Sequence, residues 1–275
     1  MLFLLYINDL PSCTALLKVV LFADDSNLIL KGEDPNTLAG TLTTELEKVS
    51  DWFSANKLLL NAGKTKLIVF TSRKCRKDLT ASPVILNGQA LKEVPNEGFL
   101  GVQLDETIKW YEHTGRVANN ISRKIGMMTR IKHFVNQKTL KSLYYSFIQP
   151  HLIYGIPLWG ATFDKGLARI KTLQKKAIRL ITGASRMDHC EPRQRELGIL
   201  KVEDLYKVQT IGLAYDCLNG LAPAELCTLF RFNGEVDGTT TRSQTNKPFD
   251  IQICHKPKKA GPVMRNSFLL KAPEL

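Results

Sequence analysis

Near Asp105 the spacing of the apolar residues changes, and this change constrains the fold more than any other feature of the chain. Before it they come in short runs cut by turn residues; after it they recur three and four positions apart. Short runs between turns are the pattern of strands and hairpins, and the three-and-four spacing is that of amphipathic helices. The expected class is therefore α+β, with a small sheet-containing part first and helices after it. In the first part, residues 19–23 and 28–30 flank Asp24 and Asp25 as a hairpin, and 84–86 and 89–91 flank Asn87-Gly88, a strong hairpin signal. Asp34-Pro35 reads as an N-cap with proline at the first helical position. The helix that follows carries Leu38, Leu42, Leu46, Val49 and Trp52/Phe53 to about residue 56. Residues 58–60 and 67–70 flank a turn at 61–64, 73–77 form a basic loop, and 99–104 read as a strand. Helices are expected at 113–131, 137–148, 165–182, Val202–Leu218 and 224–230, punctuated by Pro150, Pro157, Gly183, Pro192 and Pro223. From Arg231 onward Gly, Thr, Lys and Pro dominate, which predicts a mobile or loosely docked tail.

Composition matters most for where the charge lies. Residues 113–185 hold 13 Lys or Arg against a single acid, Asp164, while the rest of the chain holds 25 basic and 25 acidic residues. This block carries the whole net charge of +12. A solvated helical face normally mixes signs, so concentrated positive charge favours a polyanionic partner, nucleic acid above all. No apolar run approaches the roughly 20 residues of a membrane span. The opening MLFLLYINDL lacks a basic n-region and meets Asn8 and Asp9 at once, a poor signal peptide. The expectation is an intracellular chain, nuclear or cytoplasmic, with no membrane partner and with reduced thiols. Its six cysteines show no C-x-x-C spacing, so zinc is not expected, although Cys190 adjoins His189 and Cys254 adjoins His255.

The run KVVLFADDSNLILKG, 18–32, sets two adjacent carboxylates between apolar segments. Aspartate is an ordinary turn residue, so the pair is first of all a turn. Held at the edge of a sheet, it could also bind a hard divalent cation through oxygen. Two-metal phosphoryl transfer sets ions about 4 Å apart, and one turn cannot cage both.

Phe22-Ala23-Asp24-Asp25 resembles the [FY]-x-D-D motif of reverse transcriptases, and its surroundings resemble the jockey-like class of non-LTR retrotransposons. LFLLYINDLP is similar to the segment following that family's Gln-Gly motif, and NKLLLNAGKTKLIVF (56–70) to its strand-turn-strand after the catalytic hairpin. FLGVQLDETIKW (99–110) resembles the primer-grip region; YGIPLWG (154–160) and LQKKAIRLITG (173–183) resemble the thumb and the helices beyond it. The match is ordered and covers about residues 2–230. It implies a partial palm at 1–112, built as an antiparallel sheet with a helix, then a basic helical thumb or connection at 113–185, trailing helices at 186–230 and a tail at 231–275. The implied activity is RNA-directed DNA polymerisation with Mg²⁺ or Mn²⁺, an RNA template, a DNA primer and deoxynucleoside triphosphates.

By the resemblance, Asp24 and Asp25 are the catalytic and metal-binding pair. Ala23 is small, as suits a residue beside a ligand or one packed on a helix. Lys64 is either near the triphosphate, where its charge would offset that of the leaving pyrophosphate, or a surface turn lysine. Phe99, Leu100 and Gly101 would grip the primer end, and they equally read as a strand on the sheet. Lys171, Lys175 and Arg179 form an i, i+4, i+8 row opposite the apolar stripe of their helix, able to follow a phosphate backbone. Trp52, Trp110 and Trp159 read as core rather than as stacking platforms. The family carries a further catalytic aspartate upstream of its Gln-Gly motif, and Asp9, in INDLP, does not match it. The chain is therefore expected not to extend primers alone and to self-associate through an uncovered palm surface. The competing reading is a non-enzymatic nucleic-acid-binding protein derived from such an element.

Overall fold

The computed structural model describes residues 2–32, 35–70, 83–162, 164–185, 187–228, 230–232 and 251–253. Asp34, the 73–77 loop, Cys75, Cys254 and most of the 231–275 tail lie outside these. The chain divides into two units between Glu97 and Gly98, so 98–112 falls with the helices.

The first unit is organised by one helix. Its elements are α1 (Leu2–Ile7), a 3₁₀ turn (Leu10–Cys13), β1 (Lys18–Phe22), β2 (Asp25–Ile29), α2 (Pro35–Ala55), β3 (Lys66–Leu67), β4 (Ile85–Leu86), β5 (Gln89–Ala90) and β6 (Lys92–Glu93). The expected apolar stripe of α2 is buried in two directions. Val49 and Phe53 meet Ile7, Leu10 and Leu17 in one cluster, and Ala39 and Leu46 meet Val84 and Leu86 in another. Glu45 lies on the same buried side, 2% exposed. It accepts a hydrogen bond from the Thr14 hydroxyl and an ion pair from Lys48 at 2.6 Å. Lys48 first, and then Thr14, hold its carboxyl below the usual range. A buried carboxylate without such partners would be costly. With them, it ties the segment before β1 to α2.

The β4–β5 turn is as expected: Asn87 and Gly88 both take positive φ, 51° and 74°, the signs of a type I′ turn. In place of one antiparallel sheet, the described strands form two-stranded pieces, and β3 pairs with β6 in parallel. The expected 67–70 strand contracts to Lys66–Leu67. With only two residues each, β3 and β6 make too few rungs to propagate a wider sheet.

The boundary falls within β7 (Asn96–Phe99), which forms a hairpin with β8 (Val102–Asp105) of the second unit. The unit continues with α3 (Tyr111–Ile131), α4 (Gln137–Phe147), α5 (Gln149–Ile153), α6 (Ile156–Trp159), α7 (Asp164–Thr182), α8 (Cys190–Leu197), α9 (Val202–Leu218) and α10 (Ala224–Cys227). Pro150 and Pro157 fall in the first turns of α5 and α6, where their missing N–H costs nothing. The core is built on the α3–α7 contact. Ile121, Ile125 and Met128 of α3 and Ile170, Ala177 and Ile178 of α7 are at most 1% exposed. Trp159 is fully buried, whereas Trp52 and Trp110 are half-buried. The expected helix at 224–230 stops at Cys227, and Phe230–Phe232 (β9) pairs antiparallel with Ile251–Ile253 (β10). The aromatic-alternating FRF sequence suits a strand better than a helix turn.

Candidate functional site

The Asp pair sits on a two-residue hairpin. Phe22 pairs with Asp25, so the turn consists of Ala23 and Asp24, and Asp25 is already the first residue of β2. This corrects the expectation that both carboxylates occupy the turn. Ala23 takes φ 51°, the sign required at the first central position of a type II′ turn. It is exposed at the tip rather than packed on a helix. The alternation of the hairpin fixes its faces. Val19, Leu21, Leu28 and Leu30 pack on the Ile7–Leu10–Phe53 cluster, contributing about 1 kcal/mol each at half burial. Asp25 shares the opposite face with Phe22, Val20 and Asn27. Asp24 and Asp25 are both exposed, and among the described residues neither carboxylate makes an ion pair or hydrogen bond.

Two unspent carboxylates fit the hard, oxygen-preferring chemistry of Mg²⁺ or Mn²⁺ and would fill part of a coordination sphere. Among the described residues, no group of three or more His, Cys, Asp or Glu gathers to complete one. Lys64 lies exposed in the 61–64 turn, closed by its own N–H to the carbonyl and side-chain oxygens of Asn61, each at 3.1 Å.

In the second unit the FLGVQ segment is a hairpin tip rather than a continuous strand. Leu100 and Gly101 take φ 46° and 82° between β7 and β8. The YGIPLWG segment holds this tip from the other side. The Tyr154 hydroxyl donates to the Leu100 carbonyl, and a Cβ on Gly101 would stand 3.3 Å from the Tyr154 ring. Trp159 Nε1 donates to the Tyr154 carbonyl at 2.9 Å. His113 Nδ1 accepts the Gln103 N–H at 3.2 Å, and its ring stands 5.5 Å from that of Trp159. The two motifs are thus one packed assembly. Asp105 ends β8 by accepting from the Thr107 hydroxyl at 2.7 Å and from the Lys109 and Trp110 amides at 3.1 and 2.7 Å. Burial pushes its carboxyl up, but these donors outweigh the burial and hold it below the usual range. Tyr154, His113 and Asp105 carried no assigned role in the sequence reading; only the D-x-T spacing of Asp105 is a local signal for such a turn.

The basic row of α7 is divided by its surroundings. Lys171 pairs with Glu203 at 2.9 Å, Lys175 is exposed, and Arg179 is half-buried, donating to the Asp188 carbonyl at 3.1 Å. Gln174, inside the same LQKKAIRL run, donates to the Tyr144 hydroxyl and the Leu200 carbonyl, both at 2.9 Å, and accepts the Val202 N–H at 3.2 Å.

Comparison with known proteins gives consistent relatives. The chain is 24% identical over 224 residues to the RNA-directed DNA polymerase from mobile element jockey of Drosophila melanogaster, covering 78% of this chain and 24% of the relative. It is 24% identical over 213 residues to the probable RNA-directed DNA polymerase from transposon X-element of the same species, covering 74% and 23%. It is 26% identical over 189 residues to the corresponding probable polymerase of transposon BS, covering 66% and 20%. The chain spans about a quarter of the length of the curated relatives it matches. No family model matches it, and no solved structure does.

Proposed function

We propose that this chain, a jockey-like relative of the non-LTR RNA-directed DNA polymerases, forms part of a reverse transcriptase. Its first unit presents carboxylates for nucleotidyl transfer, and its helical unit holds the RNA template and DNA primer. On this reading 1–112 is partial palm, 113–185 thumb, and 186–230 the trailing helices. The observation that carries it is the tight turn of a firmly packed hairpin holding Asp24 and Asp25 exposed and unspent.

Asp24 and Asp25 would hold Mg²⁺ or Mn²⁺, which when bound supplies Lewis acidity toward the primer 3′-hydroxyl and the leaving pyrophosphate. The backbone of the turn fixes where the two carboxylates stand. Ala23 leaves room beside them, and Lys64 offers positive charge to a triphosphate. The Phe99-Leu100-Gly101 tip, braced by Tyr154, offers close backbone approach to a primer end. A two-ion site needs carboxylates from at least two segments. The hairpin pair alone therefore binds the ion weakly, and the chain by itself does not extend a primer.

The test is titration with Mn²⁺, following the electron-spin signal of the free ion, alongside deoxynucleotide incorporation on an RNA template. Weak binding that disappears in the double variant Asp24→Asn, Asp25→Asn, with no incorporation, is expected. Binding untouched by that variant would overturn the metal assignment. Incorporation abolished by Asp24→Asn alone would show that the chain's own carboxylates suffice.

A further inference from the structure

A second feature lies on the helical unit. The C-terminal ends of α3 and α7 and the start of α4 enclose a cleft of about 900 Å³. Lys132, His133, Lys176 and Arg179 stand around it, and among the described residues no acidic one lines it. Lys132, His133 and Lys176 are exposed, and among the described residues no ion pair engages Lys132, Lys176 or Arg179. The Arg179 Nε is buried without a hydrogen-bond partner. Val135, Leu140, Leu180 and Ile181 supply an apolar part of the lining, beside threonines of α3 and α7.

The two helix C-termini offer no backbone anion site, whereas the start of α4, capped by Asn136, turns its partial positive end to the cleft. The C-terminal carbonyls of α3 and α7 carry partial negative charge, and at α7 they are closed by Gly183 at φ 68° with the Ala184 N–H on the Arg179 carbonyl. The full positive charges that hold an anion come from the side chains. A double helix presents phosphates and buries its bases, so it would engage the rim and leave the apolar wall uncovered. A single strand offers both phosphates and an unstacked base, which apolar groups and the flat faces of His and Arg accept.

We propose that this cleft is a binding site for single-stranded RNA, with flanking phosphates on Lys132, Lys176 and Arg179 and one unstacked base against His133 and the Val135–Leu180 wall. The choice of RNA rests on the polymerase reading above; the fit of a single strand rests on the cleft alone. Lys171, paired with Glu203, and Lys175 take no part.

The experiment is fluorescence anisotropy of the full chain with a labelled single-stranded RNA 12-mer over a range of salt. Three phosphate contacts predict a log–log salt slope of about −2, and removing one reduces it by about 0.7, or about fivefold in affinity at 0.1 M salt. Lys176→Glu and Lys132→Glu, on facing walls, should each weaken binding by at least that factor, while Lys207→Glu on α9, outside the cleft, should not. Unlabelled duplex of the same sequence should compete poorly, and so should single-stranded DNA. Equal losses at Lys176 and Lys207, or duplex competing as well as the single strand, would overturn the site. DNA competing as well as RNA would overturn the choice of RNA. Mn²⁺ titration of the same variants reads the hairpin separately, so failure at one site is not mistaken for failure at the other.

Discussion

Acid should unfold the helical unit through one buried histidine. His113 is 3% exposed, at the start of α3, and its Nδ1 accepts the Gln103 N–H, so its proton sits on Nε2. Protonating Nδ1 would set two donors face to face and place a cation beside the Trp110 and Trp159 rings. Burial first, and then the nearby Arg116 charge, lower its pKa from 6.5 to about 4. No carboxylate contributes to the shift, and Asp105 is spent on Thr107, Lys109 and Trp110. Because the folded pKa is depressed, the unfolded chain takes up the proton first. The contribution is complete above about pH 6.5 and is lost as pH falls toward 4. A shift of this size at about 1.4 kcal/mol per unit is worth roughly 3 kcal/mol. The assay is urea denaturation at several pH values from 7.5 to 4, followed by tryptophan fluorescence, on the wild type and on His113→Gln. Glutamine is neutral throughout and can still accept from Gln103. The difference between the two proteins isolates His113 from every other titrating group. It should shrink by roughly 3 kcal/mol between pH 6.5 and 4. Parallel loss of stability in the two proteins, or a His113 proton-resonance midpoint near 6.5, would refute the reasoning.

The remaining predictions use the same measurement unless stated. Gln174→Leu strands the Val202 N–H, the Leu200 carbonyl and the Tyr144 hydroxyl in the core, at a cost of about 3 kcal/mol. Gly101→Ala places a Cβ at φ 82° against the Tyr154 ring and should cost about 1–2 kcal/mol, whereas Tyr154→Phe, which removes one hydrogen bond, should cost about 1 kcal/mol. Ala23→Gly should fall within about 0.5 kcal/mol of neutral, because relief of the positive φ offsets the added freedom of the unfolded chain; a loss above about 1 kcal/mol would contradict the turn geometry. Leu2 and Leu5 of α1 are 84% and 71% exposed, so sedimentation should show association rising with concentration, and Leu5→Lys should reduce it.

Much of the fold could be read along the chain where neighbours decide the conformation. Val202–Leu218 forms as spaced, and Asn87-Gly88 turns because both residues accept positive φ cheaply. The hairpin around the Asp pair follows from two apolar runs with a turn between them. The tip at Leu100-Gly101 was hidden because leucine is not a turn residue. Its positive φ is sustained by Tyr154, 54 positions away.

The sequence by itself determined the change from hairpins to helices, the placement of all excess positive charge in one block, and the presence of an acidic turn. Each depends on residues a few positions apart, and local spacing suffices for it. Only the tertiary structure decided which cations remain available. Lys171 is taken by Glu203, while Lys176 joins Lys132 and Arg179 around one cleft. It also decided that Glu45 is an internal tie, that His113 is held neutral, and that the FLGVQ and YGIPLWG segments form one assembly. These outcomes follow from contacts between segments tens of residues apart, whose charge and burial no local pattern records.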